Sequence, residues 1–360
     1  MAETEQASLS RLSKTNRADP QNGGYTPSAR QSRNQPLTER SGVTLRDEVR
    51  DVATLQGDLP NTWNRTIQRY RSYIEDKSDV EAVFENENGE TVRGSDPHRF
   101  DPDYAAKQYA KLKDLERGVS EEFGKRLHTA MLTFTASSRP DGDPLPPVDH
   151  LDGLLDSWEA IRRALDRALG DRRYARLAIL EPHPGNGANN GYLHIHMAVF
   201  IDGKVPREAF YPVIRSHVRN CEYATEEAHD LEDERTISIR HAGADRADLD
   251  DDETLDELAI YLAEYLGTYG DDDPLDEPEH VQAANAVLWA TNRQRWRPCQ
   301  TAQQFMKYEP DGDSIEEDGW QLPETGGDWS LIGIEKDGDL IPCDGSSGGV
   351  DTFTTSIPDD

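Results

Sequence analysis

Gly191-Tyr-Leu-His-Ile-His-Met-Ala-Val-Phe-Ile201 is the stretch whose reading decides the fold. Apolar residues alternate through it with two histidines, which predicts a buried or half-buried strand. Side chains along a strand point alternately to its two faces. His194 and His196 therefore share one face, and Ile195 lies on the other. Two imidazoles side by side offer half of a divalent-metal site. The plainer alternative is a hydrogen-bonded polar pair in a sheet. The apolar flanks favour a ligand role, because two histidines without partners in such a strand would be costly.

Residues 174–181 read as a preceding strand, and the turn-rich segment 182–191 must bring the chain back alongside. That geometry brings Glu181, at the strand's end, to the histidines. A carboxylate there suits Mg²⁺ or Mn²⁺ better than imidazoles alone. Glu181 is thus the expected third ligand, with His183, between two prolines, as its rival.

About 65 residues after the histidines comes Leu258-Ala-Ile-Tyr-Leu-Ala-Glu-Tyr-Leu-Gly267. Its spacing predicts a helix over roughly residues 254–268, ended by Gly270, with Tyr261 and Tyr265 on one face. Alone, these would be an aromatic stripe packed on the sheet. Beside a metal-held phosphate, a phenol can instead attack phosphorus and form a covalent phosphotyrosine, while the ion polarises a non-bridging oxygen. A free phenol has a pKa of ~10, so the cation must favour the phenolate or a base must take the proton. Glu264 reads as a solvated charge and Tyr269 as structural.

The other elements arrange themselves around this pair of segments. Residues 128–136 read as a strand, 151–169 as one helix stopped by Gly170, 206–220 as a helix with proline in its first turn, 235–240 as a short strand and 279–289 as a helix. The order is that of a split βαβ sandwich: an α+β fold with a central antiparallel sheet and helices packed on it. The expected division is a disordered tail over 1–60, a helical extension over 61–124, a catalytic domain over 125–308 and an acidic tail over 309–360. Within the extension, residues 61–84 read as one helix and 104–115 as another. The acidic tail holds a hairpin around Asp337-Gly338.

The chain has 360 residues and a formal net charge of −31, with 39 Lys and Arg together, of which 9 are Lys and 30 Arg. Such acidity would ordinarily argue against a nucleic-acid partner. An acidic, lysine-poor surface is also the pattern of proteins that work in molar salt, where the Debye length is only ~3 Å. Local basic patches then matter more than global charge. Arg293, Arg295 and Arg297 interleave with Trp296, a combination that could meet phosphates and stack an unpaired base. Arg215 and Arg219, flanking His217, form a second group that could face the same groove. Cys221, Cys299 and Cys343 make neither a metal spacing nor a disulfide framework, which fits a reducing cytoplasm. No run approaches a membrane span, no signal peptide is evident, and no phosphate-binding Gly-x-x-x-x-Gly-Lys-Ser/Thr loop is present. The chain should not unwind DNA by itself.

His194-Ile-His196 followed by Tyr261-Leu-Ala-Glu-Tyr265 resembles the HUH endonuclease superfamily, specifically its rolling-circle replication initiators. Met131-Leu-Thr-Phe-Thr135 resembles the first motif of that group. The order, histidines before tyrosines, matches initiators and differs from conjugative relaxases. Glu264 stands where the third motif usually carries a lysine. Glu181-Pro-His-Pro-Gly-Asn-Gly-Ala-Asn-Asn-Gly-Tyr-Leu-His-Ile-His196 and residues 285–298 look like the initiators of small haloarchaeal plasmids and viruses. The resemblance implies an Mg²⁺- or Mn²⁺-dependent enzyme that nicks single-stranded or hairpin origin DNA through Tyr265, with Tyr261 as second nucleophile. It also implies reliance on a host helicase and DNA polymerase. The alternatives are a relaxase or transposase with the same chemistry, and a non-catalytic nucleic-acid-binding module.

Overall fold

The structure, a computed structural model, describes residues 33–50, 52–54, 57–78, 80–95, 98–184, 187–240, 274–306, 329–336 and 339–342. The chain divides into two compact units, Met1–Ser72 with Phe100–Glu309 and Tyr73–Arg99 with Pro310–Asp360.

The first unit carries β1 (Leu127–Phe134), β2 (Tyr174–Pro182), β3 (Leu193–Asp202), β4 (Ile237–Arg240) and β5 (Trp296–Pro298). They form one sheet in the order β4-β1-β3-β2-β5, with every neighbouring pair antiparallel. The histidine strand β3 is central, and all of it but Asp202 is buried. Its register sets Glu181 opposite His194, and both Ile179 and Thr133 opposite His196. A slip of one residue would turn both imidazoles to the other face.

The helices described are α1 (Trp63–Ser78), α2 (Pro102–Phe123), α3 (Pro147–Asp156), α4 (Trp158–Leu169), α5 (Tyr211–Asn220), α6 (Glu279–Ala290) and α7 (Gln300–Phe305). On the histidine face, α2 and α7 cover the half of the sheet around Ala175, Leu177, Ala198 and Phe200, using Leu112, Leu115, Val119, Phe123 and Ala302. The His194 end of that face lies beyond this cluster. Helices α4 and α5 cover the opposite face. There Phe134, opposite Ile195 in register, meets the His217 ring at 5.3 Å, and Arg176 lies over Trp158 at 5.2 Å.

The single helix that periodicity predicts over 151–169 is two helices, broken at Ser157. The Ser157 hydroxyl lies 2.8 Å from the Leu154 carbonyl oxygen and 2.7 Å from His217 Nδ1. Its local bonding competes with the helical ladder. The apolar spacing continues across the break, which hides it from a periodicity argument.

Residues 33–50 correct the expected tail over 1–60. Leu37 and Val49 are buried. Five backbone bonds tie the segment down: Leu37 N–H donates to Asn61 O (2.7 Å), Trp63 N–H to Gln35 O (3.2 Å), Asn64 N–H to Arg33 O (3.0 Å), Val148 N–H to Leu37 O (3.2 Å) and Arg46 N–H to Ala290 O (2.9 Å). Backbone pairing, rather than an apolar stripe, orders this stretch.

The helix expected over 61–84 ends at Ser78, and Val80–Asn86 is a strand. In the second unit that strand pairs with Thr91–Ser95 on one side and Trp329–Lys336 on the other. Trp329–Lys336 pairs in turn with Asp339–Pro342, Lys336 facing Asp339, as the Asp337-Gly338 turn predicts. The hairpin is therefore part of a four-stranded antiparallel sheet. A partner some 250 residues away in sequence lies outside any local pattern.

Candidate metal centre

Strand pairing brings three donor atoms together. His196 Nε2 lies 2.6 Å from Glu181 Oε2, His194 Nε2 lies 3.3 Å from the same oxygen, and the two Nε2 atoms are 2.9 Å apart. All three side chains are buried, at 5%, 5% and 9% exposure for Glu181, His194 and His196. Adjacent ligands ~2.1 Å from an octahedral cation sit about 3.0 Å from each other, so this triangle has the size of one face of such a site. Among the described residues it is the one group of three or more His, Cys, Asp or Glu whose ligand atoms converge this way.

Electrostatics favours a cation there. Burial by itself raises the Glu181 pKa, but hydrogen bonds to His194 and His196 outweigh it and hold the carboxyl at about 2. Burial lowers the His194 pKa. An anionic carboxylate therefore sits beside a neutral imidazole, which presents its Nε2 lone pair to a cation when Nδ1 carries the proton. Thr133 Oγ1, on the neighbouring strand, lies 3.0 Å from His196 Nδ1. With that nitrogen carrying the proton, the Nε2 lone pair faces the triangle.

His183 sits one pair further along the hairpin. Its N–H donates to Tyr192 O (2.8 Å), and its carbonyl accepts from Gly191 N–H (3.1 Å). Its ring stacks on His194 with centroids 4.1 Å apart, behind the triangle rather than in it. Gly191 holds a φ of +82°, and a Cβ there would come within 3.1 Å of Ala283 Cβ, so the turn into β3 needs glycine on two counts.

Tyr261, Tyr265 and Glu264 lie outside the described residues. The basic–aromatic segment includes an edge strand. Trp296 belongs to edge strand β5, opposite Ile179, and packs against the core under α2. Arg293 pairs with Asp152 of α3, and Arg295 bonds Asn285 of α6. Arg297 falls opposite Ala178, so the alternation Arg-Trp-Arg is a strand's period with Trp296 turned to the histidine face. Burial lowers the pKa of both Arg295 and Arg297. Arg215 and Arg219 are exposed on α5, which covers the opposite face from the histidines. They do not share the groove proposed for them. His217, between them, is buried under Phe134.

Three residues near the centre have roles that the motifs do not assign. Thr133 could have been found from the alternation Thr129, Met131, Thr133 on the strand beside β3. Arg33 is buried and joins Glu279 (2.5 Å) to Asn190 of the β2–β3 loop. Its place in a polar N-terminal stretch conceals this. His280, electrostatically linked to Glu181, has its pKa lowered by burial first and Arg33 second.

A buried two-histidine, one-carboxylate triangle on the central strands of an antiparallel sheet defines an α+β protein with a candidate metal centre. The family described as "Putative rep protein (DUF1424)" matches residues 33–345, and the chain belongs to it. An uncharacterized 36 kDa protein of Halobacterium salinarum is 41% identical over 312 residues, covering 84% of this chain and 92% of that protein. A protein of the same description from Halobacterium sp. (strain GN101) is 41% identical over 312 residues, covering 84% of this chain and 90% of its own. No solved structure matches the chain. No helix among the described residues is long and apolar enough to cross a membrane.

Proposed function

We propose that this protein starts rolling-circle replication by nicking one strand at a DNA origin and later rejoining it, in the manner of the HUH initiators its motifs resemble. The observation that carries the reading is the convergence of His194 Nε2, His196 Nε2 and Glu181 Oε2 in a member of a family described as Rep. Those three side chains would hold Mg²⁺ or Mn²⁺, and a bound ion would polarise a non-bridging phosphate oxygen and orient the phosphate.

Tyr265 is the nucleophile in this scheme. Its phenolic oxygen attacks phosphorus, forming a 5′-phosphotyrosine bond as the bond from phosphorus to the 3′ oxygen breaks. The phenol's proton is lost and the leaving oxygen gains one, which yields a free 3′-hydroxyl. A host polymerase would extend that end while a host helicase opens the duplex. Tyr261 would serve the second transfer: its phenol would attack phosphorus at the regenerated origin, breaking the bond to the 3′ oxygen, and the 3′-hydroxyl so freed would displace Tyr265 from its phosphate and close the circle. Thr133 orients the His196 imidazole and stacking on His183 that of His194, and the neutral state of His194 keeps it a ligand rather than a proton carrier.

The test incubates the full chain with a labelled hairpin from its own replicon, Mn²⁺ and molar KCl. A denaturant-stable protein–DNA adduct is expected from the native sequence and none from Tyr265→Phe, with DNA binding retained. An adduct formed by Tyr265→Phe at the native rate overturns the assignment.

A further inference from the structure

At the far end of β3 from His194 lies a groove of about 530 Å³, lined by Arg126, Arg167, Arg172 and Arg173 with Asp171 and Asp202. Four guanidinium groups meet two carboxylates here, in a chain whose formal net charge is −31. Two of the four are committed. Arg126 pairs with Asp202 (2.8 Å), and Arg173 pairs with Asp202 (3.1 Å) and Glu122 (2.5 Å). Arg172 donates to the Leu169 carbonyl (3.3 Å), and Arg167 has no partner among the described residues. A basic residue in the last turn of α4 would suit the helix dipole. That accounts for Arg167, but not for arginines arriving from the starts of β1 and β2 as well.

We propose that this groove grips the phosphate backbone of duplex DNA flanking the nick, an inference that rests on DNA being the substrate. Guanidinium forks match phosphate oxygens in pairs and stay charged at every working pH. Among the described residues no aromatic side chain lines the groove. It therefore lacks the stacking platform that holds unpaired bases, and it offers only backbone contacts, which position a duplex without reading its sequence. The residues from His194 to Asp202 span roughly 26 Å at ~3.3 Å each. That is about eight base pairs of duplex at ~3.4 Å per pair.

Binding of a random-sequence duplex of about 24 base pairs, followed by fluorescence anisotropy across a KCl series, tests this without knowledge of the origin. Arg167→Glu/Arg172→Glu in the full chain is expected to weaken duplex binding about 10-fold or more and to reduce the salt slope by roughly two. Arg162→Glu/Arg163→Glu makes the same charge change on exposed positions of the same helix, outside the groove, and is expected to stay within about twofold of the native chain. Duplex binding by the groove variant within about twofold of native overturns the inference. So does an equal loss in the control pair, an equal loss on the corresponding single strand, or no duplex binding by the native chain. The adduct assay separates this from the nicking reading. If no tyrosine adduct ever forms but the groove variant alone loses duplex, the groove stands and the nicking chemistry falls. If the adduct forms and the groove variant binds duplex normally, only the groove falls.

Discussion

Two pairs of histidines lie on opposite faces of one sheet, and they look alike until their nitrogens are followed. His194 and His196 have ring centroids 4.6 Å apart, and His217 and His229 have centroids 4.9 Å apart. All four rings are buried. Beneath α5 the protein answers each nitrogen. His217 Nε2 faces Thr135 O at 2.9 Å and its Nδ1 faces Ser157 Oγ at 2.7 Å; His229 Nε2 accepts from Thr135 N–H at 3.1 Å and its Nδ1 faces Thr225 O at 2.8 Å. On the other face the two Nε2 atoms point at each other and at a carboxylate. Clustered imidazoles are thus no sign of a metal site by themselves. What marks one is convergence of lone pairs that backbone and hydroxyl groups do not already satisfy.

The sharpest way to break this contrast is to remove one ring from each pair. His194→Ala should weaken Mn²⁺ binding by about 10³-fold or more, because two of three protein ligands cannot hold the ion as three do. Calorimetric titration measures this directly. Saturating Mn²⁺ should raise the native melting temperature, by the equivalent of about 2.7 kcal/mol at a hundredfold excess over Kd, and leave that of His194→Ala unmoved. His217→Ala should do the reverse. It strands the Thr135 carbonyl and opens a hole under Phe134, costing about 2–4 kcal/mol of stability, while Mn²⁺ affinity stays native. Loss of Mn²⁺ binding in His217→Ala would erase the distinction between the faces.

Acid gives a second contrast. Burial first, with nearby charge on His229 adding to it, takes the His217 pKa down to about 3. In the unfolded chain the same ring titrates near 6.5. Above pH 6.5 neither state holds the proton and His217 leaves stability independent of pH. As pH falls below 6.5 the unfolded chain takes up a proton that the folded chain refuses until pH approaches 3, so stability is lost across that window. By pH 4 the loss from this one residue is on the order of 3 kcal/mol. Denaturant melts from pH 7 to 4 in a chelator should show a slope to which the other buried imidazoles also contribute, and His217→Gln should reduce it by about one proton's share. An unchanged slope in the variant would mean that His217 is not held neutral.

Much of this arrangement is legible in the residues, and the gaps have a common cause. The alternation in β3 placed both histidines on one face, and a strand ending in Glu181 followed by a turn-rich return put a carboxylate beside them. Those are properties of neighbours within about 20 residues, where period and turn chemistry govern. Residues 33–50 escape such a reading because their order comes from backbone bonds to Asn61, Trp63, Asn64, Val148 and Ala290, which no side-chain pattern announces. Residues 80–84 fall within the helix expected over 61–84 yet form a strand, because their partner, Trp329–Lys336, lies at the other end of the chain. Trp296 read as a base-stacking residue because an aromatic between arginines looks the same in a loop and in an edge strand. Its core contact with the α2 cluster decides between them.

The smallest expected effect tests the contrast at its finest point, the outer nitrogen of a ligating ring. His196 Nδ1 has Thr133 Oγ1 at 3.0 Å, while His194 Nδ1 is buried with no hydrogen-bond partner among the described residues and its ring is steadied by stacking on His183. If hydroxyl contact sets the His196 tautomer, Thr133→Val keeps the shape of the side chain and removes that control. Mn²⁺ affinity should then fall about 10- to 100-fold, the usual cost of deleting such a support, equivalent to ~1.4–2.7 kcal/mol. Thr133→Ser, which retains the hydroxyl, should recover most of it. The melting temperature without metal should barely move in either variant, since Thr133 stands at the rim of the packed core rather than within it. If Val and Ser bind Mn²⁺ equally well, stacking and strand geometry alone orient the rings, and the two histidines of the centre are held by the same means.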